Sequence, residues 1–411
     1  MAALETISAE ARERVEHIGE AGMVVALPSC HSGELLEAAL AGLRPVLPAL
    51  LANGRTVILY PDTAIAPAQS EDAPSVQLLP CPLSPVERYH EPSLEQGLRS
   101  LLSVGRTLGA RVCVMLGSEA AATLADGLRK LADPVLHHGY DLAVPLYTRR
   151  KLDSLINSGI VYPLTRALYG ARLGYPMAAD LALSDRLADL YLRPAAVASQ
   201  SQTGWATTKA ICAGLQVCQV YRGYAPTPIV SERTDLSMSL AQVLSTLFTE
   251  MESNAGFWQR IRGSRPVRTF GQPLPVEYEN SAVEVHAMVE TFQRGCRDLL
   301  DIWAAVQSPG TLIDLKKLAR LPVDKFRLAD NLWVHAIYDF VLGHRQRVIS
   351  REHLLRAMTP IYLGWVASYA LEVQNLEPAA VEERLERLCV SFETLKPYLV
   401  SRWRWPDRFN P

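Results

Sequence analysis

Three polar residues stand within three positions of the ends of short apolar runs, where a side chain can meet a ligand. The runs and the residues that follow them are, in chain order, 23–27 with Ser29, 56–60 with Asp62, and 111–116 with Glu119. A carboxylate in such a place can ligate a divalent cation or bind a ribose hydroxyl, and it can equally cap the helix that follows. Both interpretations are open for Glu119. Asp62 could receive a nucleotide base or could belong to an ordinary Pro-Asp turn.

A carboxylate and several cationic side chains lie nearer the middle of the chain. Asp180 follows a proline-bearing turn, where it could bind sugar hydroxyls or support an anomeric centre, or could cap the turn. Arg166 and Arg172 carry guanidinium forks that suit the carboxylate or phosphate of a small acceptor, with a structural ion pair as the alternative for Arg166. The basic run 149–151 is typical of a solvated loop, and its functional alternative is a clamp on a diphosphate.

The spacing of apolar residues predicts the elements that must position these side chains. Apolar runs of strand length alternate with helical spacing through the first half of the chain, which predicts a mostly parallel sheet flanked by helices. In such a sheet, ligands bind beyond the carboxyl ends of the strands, and Ser29, Asp62 and Glu119 all fall there. Seven prolines between residues 61 and 92 predict an irregular surface segment instead.

Composition changes near residue 261. Glycines, prolines and polar residues at 261–281 predict a connector, and the spacing beyond it is helical to the end of the chain. A length of 411 residues agrees with two domains. We therefore expect an α/β domain at 1–260, a linker at 261–281 and an all-α domain at 282–411.

Charge and cysteine content narrow the classes of partner. The formal net charge is only −2, so no global field favours nucleic acid or an anionic membrane. Seven cysteines without a two-residue spacing indicate buried free thiols in a reducing cytoplasm. The charged amino-terminal residues 5–16 do not suit a signal peptide, and no apolar run is long enough for an integral membrane segment. The sequence thus predicts a cytoplasmic protein.

Several segments carry a family resemblance: VVALPS at 24–29, YDLAVP at 140–145, NSGIVYPLTRALYGAR at 157–172, LQVCQV at 215–220, and parts of 320–366, including TPIYLG at 359–364. They resemble retaining GT-A glycosyltransferases of the mannosylglycerate synthase and glucosyl-3-phosphoglycerate synthase type. The resemblance covers roughly residues 22 to 375. It implies a GT-A nucleotide-sugar-binding domain followed by a helical domain.

The resemblance also assigns roles to residues. Pro28 and Ser29 correspond to the turn that meets the nucleotide of the donor. The segment 157–172 precedes the acceptor pocket, which makes Asn157, Arg166 and Arg172 candidate acceptor-binding residues. Asp180 and Glu119 become the candidate catalytic residues, with Glu119 also the candidate metal ligand.

The motifs that hold phosphate and metal in the family are altered in this chain. The lysine of a Gly-Lys-Gly turn is missing at 93–95, and the Asp-x-Asp motif is Gly117-Ser118-Glu119, which keeps one carboxylate of two. The loop at 226–230 lacks the family's histidine ligand. A Gly-Gly-Asp acceptor loop is represented by Ala178-Ala179-Asp180, and the acidic residue two positions before Trp205 is absent. We expect either no cofactor or a weakly bound Mg²⁺ or Mn²⁺ ion.

Two functions fit this resemblance, and an unrelated nucleotide-binding regulator on a doubly wound sheet is a third alternative. The first is hexose transfer from a nucleotide diphosphate sugar to a small acidic or hydroxylated acceptor, with weak or no metal dependence. The second is a non-catalytic pseudo-glycosyltransferase that serves as a binding or scaffold module. A homo-oligomer formed through the helical domain is compatible with both.

Overall fold

The computed structural model describes most of the chain. The described residues are 9–51, 54–62, 75–83, 91–117, 121–193, 205–224, 236–276 and 284–405. Glu119 and the loop at 226–230 lie outside them.

The described residues contain ten strands and seventeen α-helices. The strands are β1 Met23–Ala26, β2 Thr56–Pro61, β3 Val76–Cys81, β4 Val112–Met115, β5 Leu142–Thr148, β6 Ala171–Arg172, β7 Leu181–Ser184, β8 Val217–Tyr224, β9 Arg265–Pro266 and β10 Arg268–Phe270. The helices are α1 Ala9–Ile18, α2 Gly33–Leu43, α3 Leu47–Leu50, α4 Glu91–Thr107, α5 Ala121–His137, α6 Tyr162–Tyr169, α7 Asp185–Leu192, α8 Ala206–Cys212, α9 Leu236–Ser253, α10 Ala255–Trp258, α11 Val285–Asp298, α12 Leu300–Val306, α13 Pro309–Leu318, α14 Asp330–Gln346, α15 Arg351–Arg356, α16 Thr359–Val373 and α17 Pro378–Arg404.

The chain divides into two compact units. The first comprises Met1–Thr148, Leu173–Pro226 and Pro266–Leu274, and the second comprises Arg149–Arg172, Thr227–Arg265 and Pro275–Pro411. This division differs from the boundaries expected at 260 and 282, because 149–172 and 227–265 belong with the carboxyl-terminal helices.

An eight-stranded sheet forms the centre of the first unit. Its strand order is β3-β2-β1-β4-β7-β5-β8-β10, and all neighbouring strands are parallel except β7, which is antiparallel to β4 and β5. β1, β2 and β4 are fully buried, as expected of apolar runs covered by helices on both faces. Leucines of α2 and α5 pack into the same core.

The expected architecture, a mostly parallel α/β sheet flanked by helices with a helical carboxyl-terminal region, is confirmed. Two local predictions are wrong. The proline-rich stretch contains β3, an edge strand where Pro80 is tolerated because one side of the strand needs no ladder bond. The expected connector contains β10, which pairs with β8 through Thr269 and its neighbours.

The second unit is mainly helical, and its interior is rich in aromatic rings. Trp333 and Trp365 are stacked with 5.5 Å between ring centroids, and both are fully buried.

None of the described helices combines the length and the apolar composition that a membrane-crossing segment requires. All seven cysteines are free and six are buried, as predicted.

Candidate functional site

The loops after β1 and β4 meet at the carboxyl edge of the sheet. From β1 the chain continues outward through β2 and β3, whereas β4 lies on the other side of β1, so the strand order reverses between β1 and β4. The Ser29 hydroxyl donates a hydrogen bond of 2.8 Å to the Gly117 carbonyl across this reversal, and both Pro28 and Ser29 are buried. Open α/β sheets bind ligands at such a point.

Asp180 joins the same edge because it immediately precedes the antiparallel strand β7. One carboxylate oxygen accepts a 2.7 Å hydrogen bond from the Gly117 amide. The other oxygen accepts a 2.8 Å hydrogen bond from the Tyr147 hydroxyl and forms an ion pair with Arg222 Nη1. Asp180 is only 3% exposed. Its carboxylate therefore organises the ends of β4, β5 and β8.

Arg222 is a residue of this site that the sequence analysis missed. It is 5% exposed, and it shares a face of β8 with the core residues Cys218 and Val220. Gly127 of α5 makes room for it, since a Cβ at that position would overlap the guanidinium group. An arginine at the same alternating positions as buried Cys218 and Val220 was the available signal, because a buried charge requires a partner.

Tyr147 completes the polar cluster. Burial and then the negative charge of Asp180 raise the pKa of Tyr147 well above its ordinary value. The phenol therefore stays protonated and donates to the carboxylate. Its ring meets Tyr175 edge to face at 5.0 Å.

The candidate nucleotide residues differ in accessibility. Asp62 is exposed directly after β2, and its amide donates a 2.9 Å hydrogen bond to the Cys81 carbonyl. Its carboxylate is accessible to a ligand. Glu119 lies outside the described residues, so its roles as a catalytic group and as a metal ligand stay predictions.

The candidate acceptor residues belong to the second unit. Arg166 is 1% exposed, and its guanidinium binds both carboxylate oxygens of Glu386 at 2.6 and 2.7 Å and one oxygen of Glu393 at 2.8 Å. This geometry supports the structural alternative for Arg166. Arg172 is half-buried and donates from Nε to Ser264 Oγ at 3.0 Å.

Asn157 begins a π-helical turn, Asn157–Val161, and is partly buried. Within this turn, Gly159 accepts a 2.9 Å hydrogen bond from the Trp333 indole and lies so close to Trp365 that a Cβ would overlap its ring. The glycine thus has a packing role.

The basic run is engaged within the second unit. Arg149 donates to Ser158 Oγ at 3.1 Å and pairs with Glu382 at 2.7 Å, and Lys151 donates to the Gln374 carbonyl at 2.9 Å. These contacts favour a structural role over the diphosphate clamp.

The described residues do not fit the divalent cation that the family resemblance implies. Such an ion needs several oxygen lone pairs directed at one point. The Asp180 oxygens already accept from three donors, one of them a cation. Among the described residues, no three histidine, cysteine, aspartate or glutamate side chains come together.

No protein-family model matches the chain. No curated protein matches it either. Glucosyl-3-phosphoglycerate synthase from Mycobacterium tuberculosis in complex with uridine diphosphate is 17% identical over 59% of this chain and 84% of that chain, with a TM-score of 0.36. The same enzyme with phosphoglyceric acid is 16% identical over 58% and 83%, with a TM-score of 0.37. A mycobacterial protein is 16% identical over 58% and 77%, with a TM-score of 0.38.

Proposed function

We propose that the first unit binds a nucleotide diphosphate sugar at its carboxyl edge and that the chain is a glycosyltransferase-like protein of the GT-A type. The observation that carries the proposal is the convergence of Ser29, Gly117, Asp180 and Arg222 where the strand order reverses. Polar groups gathered at this edge of an α/β sheet are typical of a nucleotide site.

An exposed carboxylate and a buried turn beside this cluster suit the donor. Asp62 could accept hydrogen bonds from the nucleotide base, and the Pro28-Ser29 turn provides backbone groups for the base or ribose. Asp180 would act by holding the β4 loop through the Gly117 amide rather than by touching the sugar. Glu119, two residues beyond Gly117, is the candidate for a ribose hydroxyl.

The reaction proposed is transfer of a hexose, with retention, to a small acidic or hydroxylated acceptor such as a glycerate. Arg172 is the better of the two candidate arginines for the acceptor's acid group, because two glutamates already occupy Arg166. Asn157 could contribute a neutral hydrogen bond to the same acceptor. Metal dependence would be weak or absent.

A non-catalytic binding or scaffold module is the second candidate. It is favoured by the contacts of the Asp180 carboxylate, since three donors of the chain take most of the lone pairs that a reacting sugar would need. Loss of the phosphate-binding lysine points the same way.

Isothermal calorimetry with UDP-sugars and GDP-sugars, in Mn²⁺ and in EDTA, tests the proposal. We expect one nucleotide to bind, with an affinity that differs less than about tenfold between the two conditions. Transfer to glycerate-type acceptors, followed by mass spectrometry, then separates the enzyme from the module. Absence of binding by every nucleotide sugar would contradict the nucleotide site, and a loss of more than about tenfold in EDTA would contradict metal independence.

A further inference from the structure

We infer that Arg222 is a built-in replacement for the divalent cation at this edge: it is a positioning residue that neutralises Asp180 and so permits a nucleoside diphosphate to approach without a metal ion. The claim that Arg222 permits diphosphate binding rests on the proposed function, whereas the claim that Arg222 replaces the metal ion does not.

The buried carboxylate of Asp180 depends on Arg222 for a compensating positive charge. Its other two donors, the Gly117 amide and the Tyr147 hydroxyl, are neutral. A carboxylate that is 3% exposed is strongly unfavourable unless a positive charge is near it. Arg222 supplies that charge from a side chain that is itself 5% exposed.

Neighbouring residues of α5 and β8 accommodate the Asp180–Arg222 pair. Gly127 leaves room where α5 passes the guanidinium group, since a Cβ there would overlap it, and Cys218 and Val220 share the face of β8 from which Arg222 projects. A guanidinium group stays protonated at every ordinary pH and cannot be removed by a chelator. The positive charge is therefore permanent, unlike that of a bound ion.

The pair also determines the net charge that an anionic ligand meets at this edge of the sheet. Without Arg222 the edge would carry one uncompensated negative charge, which repels a diphosphate. With Arg222 present the pair is neutral, and the anionic ligand meets no net charge from it. Affinity for a nucleoside diphosphate should therefore follow the net charge of residues 180 and 222.

A charge series in the full chain tests this inference with UDP and GDP as ligands. We expect Arg222→Gln to weaken diphosphate binding about tenfold or more, Asp180→Asn, which leaves a net positive charge on the pair, to strengthen it, and the double variant to bind the diphosphate within about threefold of the wild-type affinity. Arg222→Lys, which keeps the charge, should retain most of the affinity. Arg129→Gln is the matched control, because Arg129 is exposed on α5.

The pattern of losses decides between charge and structure. Equal losses in Arg222→Gln and Asp180→Asn, or a loss in Arg222→Lys as large as in Arg222→Gln, would overturn the inference in chains that circular dichroism shows to be folded. If Arg222→Gln does not fold, Arg222→Lys and Asp180→Asn still give the required comparison.

Electron paramagnetic resonance of Mn²⁺ tests the metal part without any nucleotide. We expect the wild type to leave the spectrum of free Mn²⁺ unchanged and Arg222→Gln to bind the ion more tightly than the wild type does. A wild-type site tighter than about 100 µM that Asp180→Asn abolishes would overturn the inference. If the wild type binds no diphosphate, the proposed function fails, and the Mn²⁺ titration alone decides whether Arg222 replaces the cation.

Discussion

Three arginines of this chain show what a single side chain can and cannot reveal about its role. Arg166 and Arg222 are both almost completely buried and both pair with carboxylates, whereas Arg172 is half-buried. The two glutamates that pair with Arg166 follow it by more than 200 positions, so no local sequence pattern identifies them. Residue type predicts the chemistry of a guanidinium group, but only the fold determines which carboxylate it meets.

The ion pair between Arg166 and Glu386 should make stability depend on pH. Hydrogen bonds from Arg166 lower the pKa of Glu386 below its ordinary value of 4.5. A lowered pKa in the folded state stabilises the fold above the unfolded pKa, and this contribution is lost as the pH falls through the folded value. Because about half of the Glu386 side chain is exposed, water screens the pair, and Glu386→Gln should cost about 1 kcal/mol at pH 7.

Urea unfolding at pH 7 and at pH 3 measures this contribution. We expect the cost of Glu386→Gln to be smaller at pH 3 than at pH 7, because pH 3 lies below the ordinary carboxyl pKa of 4.5 and the unfolded chain then binds the proton. Glu383→Gln on the same helix is the control, because its pair with Arg387 is exposed on both sides and should contribute little at either pH. An equal cost for Glu386→Gln at both pH values would argue against the ion pair as its source.

At the scale of elements, the segment that most resembles the family owes much of its sequence to packing. The turn Asn157–Val161 places Gly159 against two tryptophans, and Gly170 ends α6 with a φ of 73°, a conformation that favours glycine. These features need no ligand. A match along 157–172 therefore indicates the fold more directly than it indicates an acceptor.

Gly159→Ala tests this packing role. The added Cβ would overlap the buried Trp365 ring, and overpacking of a core typically costs about 1–3 kcal/mol. Gly310→Ala in α13 is the matched control, because a Cβ there meets open space and a helical alanine should be neutral or stabilising by up to about 1 kcal/mol. Thermal unfolding of the two variants should shift in opposite directions or differ by several degrees. Equal midpoints would show that Trp365 moves aside at little cost.

The strands also show which elements sequence can reveal. β1, β2, β4 and β5 were predictable because each is a run of apolar residues bounded by turn residues. β3 and β10 could not be predicted in this way, because edge strands bury less side-chain surface and tolerate proline and polar side chains.

At the scale of the whole molecule, the two units interleave along the chain. Three separate segments build the first unit, and the residues 149–172 between two of them belong to the second. Composition locates a change near 261 but does not show that an earlier segment joins the later helices, because such contacts are distant in sequence. Asp180 and the candidate acceptor residues are neighbours in sequence, yet they belong to different units.

Hydrogen exchange over the whole chain tests where a nucleotide binds. With a nucleotide sugar at about 100 times its Kd, binding stabilises the protected state by about 2.7 kcal/mol, so amides that open only after release should exchange up to about 100 times more slowly. We expect protection at Leu27–Ser29, Leu116–Gly117 and the peptide that contains Asp180, all of them at the carboxyl edge of the sheet. The helix α13, which belongs to the second unit, is the internal reference and should exchange at an unchanged rate. Protection confined to the second unit, with the carboxyl edge unaffected, would place the ligand elsewhere and would remove the nucleotide site proposed for the first unit.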